Sequence, residues 1–232
     1  MPPSLAETVR CPLCHGGTTV PLATVRERRY RTCPGCGLAF LDPAQRPTLA
    51  EELAEYRLHH NGPHDPGYRR HLARLVAPLL AHLPAGAVGL DYGCGPDPAL
   101  STMLAEHGHA VADFDPLFRP DAAALERRYA FIACTEVAEH FHDPAQEFAR
   151  LAALLEPGGV LAVMTRLLHG GIDFPTWHYL RERSHVVFYR PTTMAWLARR
   201  HAWRLALHGP DVALLTAAAA GPIAAALPGS QI

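Results

Sequence analysis

Two sets of side chains in this sequence have the types and spacing for chemistry. The first is four cysteines, Cys11-Pro-Leu-Cys14 and Cys33-Pro-Gly-Cys36, two Cys-x-x-Cys knuckles with 18 residues between them. Such pairs place four thiolates tetrahedrally around one Zn²⁺, in a closed structural site that offers a substrate no open position. A disulfide or a reactive thiol is the competing reading. The second set is Glu136, Glu139 and His140 in Thr135-Glu136-Val137-Ala138-Glu139-His140-Phe141. One helical turn points all three toward a common place, and imidazole is the commonest general base. The structural alternative has Glu136 capping the helix and His140 half-buried and hydrogen-bonded. Between the knuckles, Arg26, Arg28, Arg29 and Arg31 either meet an anion or form a solvated strand face.

Periodicity and punctuation give the elements that must position these groups. Residues 1–42 form a small unit with short strands at 18–20 and 29–32, too small to fold without its metal. Residues 43–66 form a Pro- and Gly-rich linker around a short helical stretch. Tyr68, Leu72, Leu75, Val76, Leu79, Leu80 and Leu83 recur at helical spacing, with Pro78 expected to kink the helix. Strands are expected at 87–91, 109–114, 131–134 and 160–165. Helices are expected at 98–107, 144–156 and 192–201, the second stopped by Pro157-Gly158-Gly159. A hairpin over 203–216 follows, and 217–232 reads as a flexible tail. The alternation predicts an α/β fold: a doubly wound, mostly parallel sheet closed by one antiparallel edge strand, with a small N-terminal zinc ribbon. Asp97 with Pro98 is a favourable helix start. Residues 166–190, with Phe174, Trp177 and Tyr179, read as a mobile lid over a substrate.

Strand 87–91 runs into Asp91-Tyr92-Gly93-Cys94-Gly95, a turn whose glycines let backbone approach a ligand while the next helix offers free N–H groups to a carboxylate. Asp115 ends the following strand. With Pro157-Gly158-Gly159, this ordered set resembles the class I S-adenosylmethionine-dependent methyltransferases over residues 86–216. The resemblance implies a cofactor site at Asp91, Gly93, Cys94, Gly95, Asp115 and Thr135, with Asp115 on the ribose hydroxyls. An NAD-binding fold is the competitor, disfavoured by the terminal hairpin and the Glu-x-x-Glu-His box. That box is similar to one shared by ubiquinone-biosynthetic O-methyltransferases and small-RNA 2′-O-methyltransferases. In the latter, two carboxylates, the adjacent His and a later His hold a divalent metal, which implies Glu136, Glu139, His140 and His185 here. Mg²⁺, Mn²⁺ or Zn²⁺ would suit; His140 or His185 as a metal-free base stays open. Three positions depart from the family: Asp97 replaces its third glycine, residues 116–129 leave little room for an adenine-contacting segment, and Ala130 stands where an acid is common.

At 232 residues, 49% hydrophobic and 19% charged, the chain has enough apolar residues for one α/β domain and an appendage. Every basic residue other than histidine is Arg, and the net charge of −1 makes nucleic acid an improbable partner. No signal peptide or membrane span is expected, which points to the cytoplasm; the oligomeric state is left open. The expected activity is methyl transfer from S-adenosylmethionine to a small-molecule or glycan-precursor hydroxyl. The alternatives are an rRNA base methyltransferase, since some of these also begin with a Cys-Pro-x-Cys module, and a non-catalytic scaffold.

Overall fold

The computed structural model describes residues 9–58 and 62–219. Strand β1 (Val20–Val25) turns into β2 (Arg28–Thr32) through Arg26 and Glu27, both left-handed at φ 47° and 67°, the pattern of a two-residue primed turn. The second knuckle then returns the chain: Cys33 N–H donates to Leu38 O at 2.9 Å and Gly37 N–H to Cys33 O at 2.8 Å. This delivers β3 (Ala39–Leu41), whose three residues are all buried.

Helix α1 (Leu49–Tyr56) starts at a capping box, Thr48 with Glu51. Helix α2 (Pro66–Leu80) starts at Asp65, whose side chain accepts from Gly67 and Tyr68 N–H, with Pro66 at its first position. Its apolar stripe buries Leu72, Leu75, Val76 and Leu79, and Pro78 falls in the last turn. There follow β4 (Val88–Tyr92), α3 (Ala99–Glu106), β5 (Ala110–Phe114), β6 (Tyr129–Thr135), α4 (Pro144–Leu154), β7 (Leu155–Met164), β8 (Val187–Phe188), α5 (Pro191–His201), β9 (Arg204–His208) and β10 (Val212–Thr216).

The large sheet has the order β5-β4-β6-β7-β10-β9. Its first four strands are parallel, so their C-terminal ends share one edge, where ligands bind in this class of sheet. The antiparallel strand is not at the edge as expected: β10 inserts between β7 and β9, because the hairpin turns outward from it. Helix α4 also stops earlier than expected. Leu155 already pairs with Tyr129, and Pro157-Gly158-Gly159 lies inside β7 beside a register shift. A Cβ on Gly159 would sit 2.9 Å from Ala130 O, so the strands approach too closely there for any side chain. Gly158 N–H donates to Ala218 O and Ala217 N–H to Gly159 O, so the first residues of the expected tail extend the ladder. Residues 220–232 lie outside the described residues.

Strand β8 joins the other sheet, in the order β1-β2-β3-β8. The segment 166–190 is therefore not a free lid. Its residues 186–188 are paired to β3, and Phe174 packs edge-on against Tyr30 at 5.2 Å. One apolar cluster runs from Cys11, Leu38 and Phe40 to Phe148, Tyr189 and Leu197. The N-terminal unit and the large sheet thus share a core, and the division at residue 42 read from the sequence is not a break in packing. Among the described residues no helix is long and apolar enough to cross a membrane.

Candidate functional site

At the C-terminal end of β4, Gly93 and Gly95 take φ 83° and 67°, conformations that favour glycine. Gly93 N–H and Cys94 N–H both donate to Phe114 O, at 2.7 and 3.2 Å, tying the turn to β5. A Cβ on Gly93 would meet the Val137 side chain at 2.3 Å. Gly93 is thus required by protein packing as well as by any ligand. Asp115 accepts from Gly95 N–H at 3.1 Å through Oδ2, and from Leu117 and Phe118 N–H at 2.8 and 3.0 Å through Oδ1. Asp97 does not cap α3. Pro98 occupies the cap position with no side-chain bond, which leaves the first N–H groups of α3 without a side-chain acceptor. Burial and then the Asp91 charge push the Cys94 thiol upward. Thr135 ends β6 with a buried Oγ1 that has no partner among the described residues.

Beyond β6 the backbone does not form the expected α-helical turn. Glu136 is left-handed at φ 53°, and a 3₁₀ turn over Ala138–His140 follows. The turn separates Glu136 from the other two. Glu139 is fully buried, and one oxygen of Glu139, one ring nitrogen of His140 and one of His185 all lie within 4.8 Å of one another. Both imidazoles are oriented by backbone: His140 Nδ1–H donates to Ser184 O at 3.1 Å and His185 Nδ1–H to Tyr179 O at 2.8 Å. A carbonyl only accepts, so each Nδ1 carries a proton and Nε2 is the nitrogen through which either ring would bind a metal; at His185 that nitrogen faces the Glu182 carboxylate. Glu139 Oε2 is buried with no hydrogen-bond partner among the described residues. His185 Nε2 lies 3.3 Å from Glu182 Oε2 and 3.9 Å from Glu139 Oε1.

The charges in this cluster press on one another. Burial raises the Glu139 carboxyl, and the Glu136 charge adds to it. Burial holds the His140 imidazole down against the pull of Glu139. At His185 burial acts downward too, but the Glu182 hydrogen bond and the Glu139 charge outweigh it and the net shift is up. Tyr179 donates its hydroxyl to Glu139 and stands 3.3 Å from Glu136 Oε2. Burial and these two carboxylates keep that phenol protonated well above its usual range. Glu136 also accepts from His71 Nε2–H at 3.1 Å, since His71 Nδ1 accepts from Arg74 at 2.8 Å. The glycine turn, Asp115, the Glu/His cluster and Tyr179 line one cavity of about 960 Å³, which α1 walls with Leu49, Glu52 and Tyr56.

The sequence model of the methyltransferase domain family matches residues 65–206, more than half of the chain. The chain belongs to that family. It is similar to the ubiquinone biosynthesis O-methyltransferase of Serratia proteamaculans (strain 568), 33% identical over 85 residues that take in 37% of this chain and 35% of that protein. The match thus spans about a third of that relative's length. In structure it resembles the 1,6-didemethyltoxoflavin N1-methyltransferase of Burkholderia thailandensis, which was crystallised with 1,6-didemethyltoxoflavin and S-adenosylhomocysteine. The TM-score is 0.53 at 19% identity, covering 85% of this chain and 98% of the other. That likeness bears on the fold, which is of the class I S-adenosylmethionine-dependent kind.

In this methyltransferase the sequence-derived residues gather at one sheet edge, with Glu136 beside the Glu139–His140–His185 cluster rather than within it. Sequence reasoning missed His71, Tyr56 and Glu182, and took Tyr179 only as part of a lid. None of these four carries a local signal, since each reaches the cavity from a distant element. At the N-terminus, Cys11 Sγ and Cys36 Sγ are 3.5 Å apart and Cys14 Sγ and Cys33 Sγ 3.4 Å. Four sulfurs about 2.3 Å from one zinc would stand roughly 3.8 Å apart, so the cluster is near that size. The hydrogen bond between Cys11 and Cys36 draws the Cys11 thiol down and pushes the Cys36 thiol up, so the pair shares one proton unequally.

Proposed function

We propose that this protein transfers a methyl group from S-adenosylmethionine to a hydroxyl of a small organic acceptor, with Glu139, His140 and His185 as ligands of a divalent cation beside the cofactor. The observation that carries the reading is the Glu139–His140–His185 cluster: two imidazoles each held through Nδ1–H, gathered with a buried carboxylate that has an unpartnered oxygen among the described residues. An oxygen and two nitrogens are donors for Mg²⁺, Mn²⁺ or Zn²⁺. Such a cation would lower the pKa of a coordinated hydroxyl and hold it in place. S-adenosylmethionine supplies the methyl on a sulfonium, which needs no further activation by the protein.

The protein's own residues divide the remaining work. The glycine turn and the uncapped start of α3 suit the cofactor's carboxylate, and buried Asp91 suits its ammonium. Asp115 suits the ribose hydroxyls, with Cys94 and Thr135 on the same wall. Glu136, oriented by the His71 N–H and facing the same cavity, is the group to take the acceptor's proton. Tyr179 keeps the two carboxylates apart by standing between them. A cavity of about 960 Å³ has room for cofactor and a small acceptor together. The curated relative's name is that of an O-methyltransferase and the structural neighbour holds a small acceptor, which accords with this class. The net charge of −1 disfavours RNA. We further propose that Cys11, Cys14, Cys33 and Cys36 hold a structural zinc.

A second reading dispenses with the cation. His140, kept neutral by burial and with Nδ1–H tied to Ser184 O, would take the hydroxyl proton through Nε2. Calorimetric titration of the zinc-loaded full chain with Mn²⁺, in S-adenosylhomocysteine, separates the two. One additional site per chain, weakened at least tenfold in Glu139→Gln and His185→Ala, is the expected result. Absence of any site beyond the zinc would defeat the cation reading, and failure to bind S-adenosylhomocysteine would defeat the function itself.

A further inference from the structure

Asp211, in the turn between β9 and β10, is 3% exposed, and no step of the proposed reaction uses it. Its Oδ2 lies 2.7 Å from Arg74 Nη2. That same nitrogen donates to His71 Nδ1 at 2.8 Å, and His71 Nε2–H donates to Glu136 Oε1 at 3.1 Å. A terminal guanidinium nitrogen carries two N–H groups, so one serves Asp211 and the other His71. Four side chains thus form an unbroken chain of bonds from the hairpin turn to the carboxylate proposed to take the acceptor's proton.

The backbone closes this chain into a ring. Glu136 N–H donates to Met164 O at 2.8 Å, and Thr165 N–H donates to Asp211 O at 2.9 Å. Both ends are thereby tied to consecutive residues at the end of β7. Leu167 N–H donates to Pro210 O at 3.0 Å and holds the turn one residue further back. On α2, His71 and Arg74 are three apart and share a face, and Arg74 Nε donates to His71 O at 3.4 Å. Tyr68, one turn earlier, stacks on the His71 ring with 6.2 Å between centroids and 13° between planes. The imidazole therefore has a set plane as well as two set partners.

These bonds decide which ring nitrogen carries the hydrogen. A guanidinium has donors and no acceptor, so Nδ1 offers Arg74 its lone pair and Nε2 holds the hydrogen. With the hydrogen on Nδ1 instead, two N–H groups would confront each other at one end and a lone pair would confront the Glu136 carboxylate at the other. The Arg74 side chain is 44% exposed and on its own is free to turn to water. The buried Asp211 carboxylate keeps it facing the imidazole, because a buried carboxylate stripped of its partner is costly. An ion pair that merely docked α2 on the sheet would not need its donor nitrogen shared with an imidazole on the cavity wall.

We propose that Asp211 and Arg74 are positioning residues for Glu136, acting through His71: they fix its Nε2–H tautomer, which holds Glu136 Oε1 and leaves Oε2 toward Tyr179 and the cavity. The relay stands on the distances; its bearing on methyl transfer rests on the reading above, in which Glu136 takes the acceptor's proton. It makes that carboxylate depend on the β9–β10 hairpin, none of whose residues lines the cavity.

The test needs no turnover. It is nitrogen NMR of the zinc-loaded full chain, isotope-labelled at histidine, in mildly alkaline buffer where a free imidazole carries one ring hydrogen. The His71 signals are those missing from His71→Gln. In the wild type Nε2 should give a protonated-type signal and Nδ1 a lone-pair signal. The Nε2–H proton signal should move in Glu136→Gln, whose amide replaces the carboxylate. With that carboxylate gone, Arg74 and Asp211 alone must hold the tautomer, so the two nitrogen shifts should stay well apart. Adding Arg74→Met and Asp211→Asn together leaves neither charge buried alone, and should draw the two shifts toward each other as the tautomers mix. Should this variant fail to fold, as seen by loss of S-adenosylhomocysteine binding, Asp211→Asn in the Glu136→Gln background takes its place, with a smaller movement in the same direction. Four results would each overturn the relay: a His71 hydrogen on Nδ1 in the wild type, an Nε2–H signal unmoved by Glu136→Gln, shifts that already converge in that variant, or shifts indifferent to the further replacements. Failure of the wild type to bind S-adenosylhomocysteine would instead strike the methyl-transfer reading and leave the tautomer result untouched.

Discussion

Asp91 is 3% exposed at the end of β4, and its carboxyl is pushed up to about 8, first by burial and then by the Asp113 and Asp115 charges. An unfolded Asp titrates near 4. The folded state therefore holds this proton more tightly than the unfolded state does. The stability it contributes is fully present below pH ~4 and is lost as pH rises toward 8, because charging the buried group is then demanded. Asp91→Asn removes that proton equilibrium. Thermal midpoints measured from pH 5 to 8.5 should fall less steeply for the variant than for the wild type, in the absence of cofactor. Equal slopes would mean that Asp91 titrates normally. The same residue reads simply as a motif acid in sequence. Its company is invisible there, because Asp113 comes opposite it only through the parallel register of β4 and β5.

Two residues, Val187 and Phe188, make β8, and they link distant parts of the chain. Leu41 N–H donates to Val186 O at 2.8 Å and Val186 N–H to Glu139 O at 2.9 Å. Strand β3 is in this way hydrogen-bonded, through one residue, to a member of the proposed cation site. Phe40, fully buried on β3 and paired with Val187, is therefore the position at which to test the connection. Phe40→Ala should cost about 3–5 kcal/mol of stability, as large aromatic truncations in cores do. It should also weaken Mn²⁺ binding, although no ligand has been touched. Unchanged Mn²⁺ affinity at a lowered melting temperature would show that β3 does not position Glu139. Strands β4, β6 and β7 were legible in the sequence because each carries a buried apolar run, and β5 because Gly108 and Asp115-Pro116 bracket it. β8 was not, since a pairing across about 150 residues leaves no local period. The cavity residues divide the same way. Glu139, His140 and His185 are found by motif and resemblance, whereas His71 on α2 and Tyr56 on α1 are brought in by packing alone.

Because one apolar cluster includes both the cysteine knuckles and the α4 and α5 faces of the large sheet, the molecule has no obvious plane along which to come apart. Cooperative unfolding follows from that continuity. Scanning calorimetry of the zinc-loaded protein should give a single transition, and stripping the metal should lower that whole transition. A separate low-temperature transition confined to the N-terminal unit, with the rest unmoved, would contradict the shared core. The order of synthesis gives this continuity another side. β3 leaves the ribosome early with Leu38, Ala39, Phe40 and Leu41 in place, yet the strand that covers its free edge is made about 150 residues later. At roughly 5–20 residues per second that interval is on the order of ten to thirty seconds. For that time the nascent chain presents an apolar strand edge of the kind that pairs promiscuously with other chains. Early capture of the proposed zinc by the knuckles would hold this edge in a short, twisted hairpin while the chain is unfinished, and would make the yield of intact protein in a cell depend on zinc supply during translation.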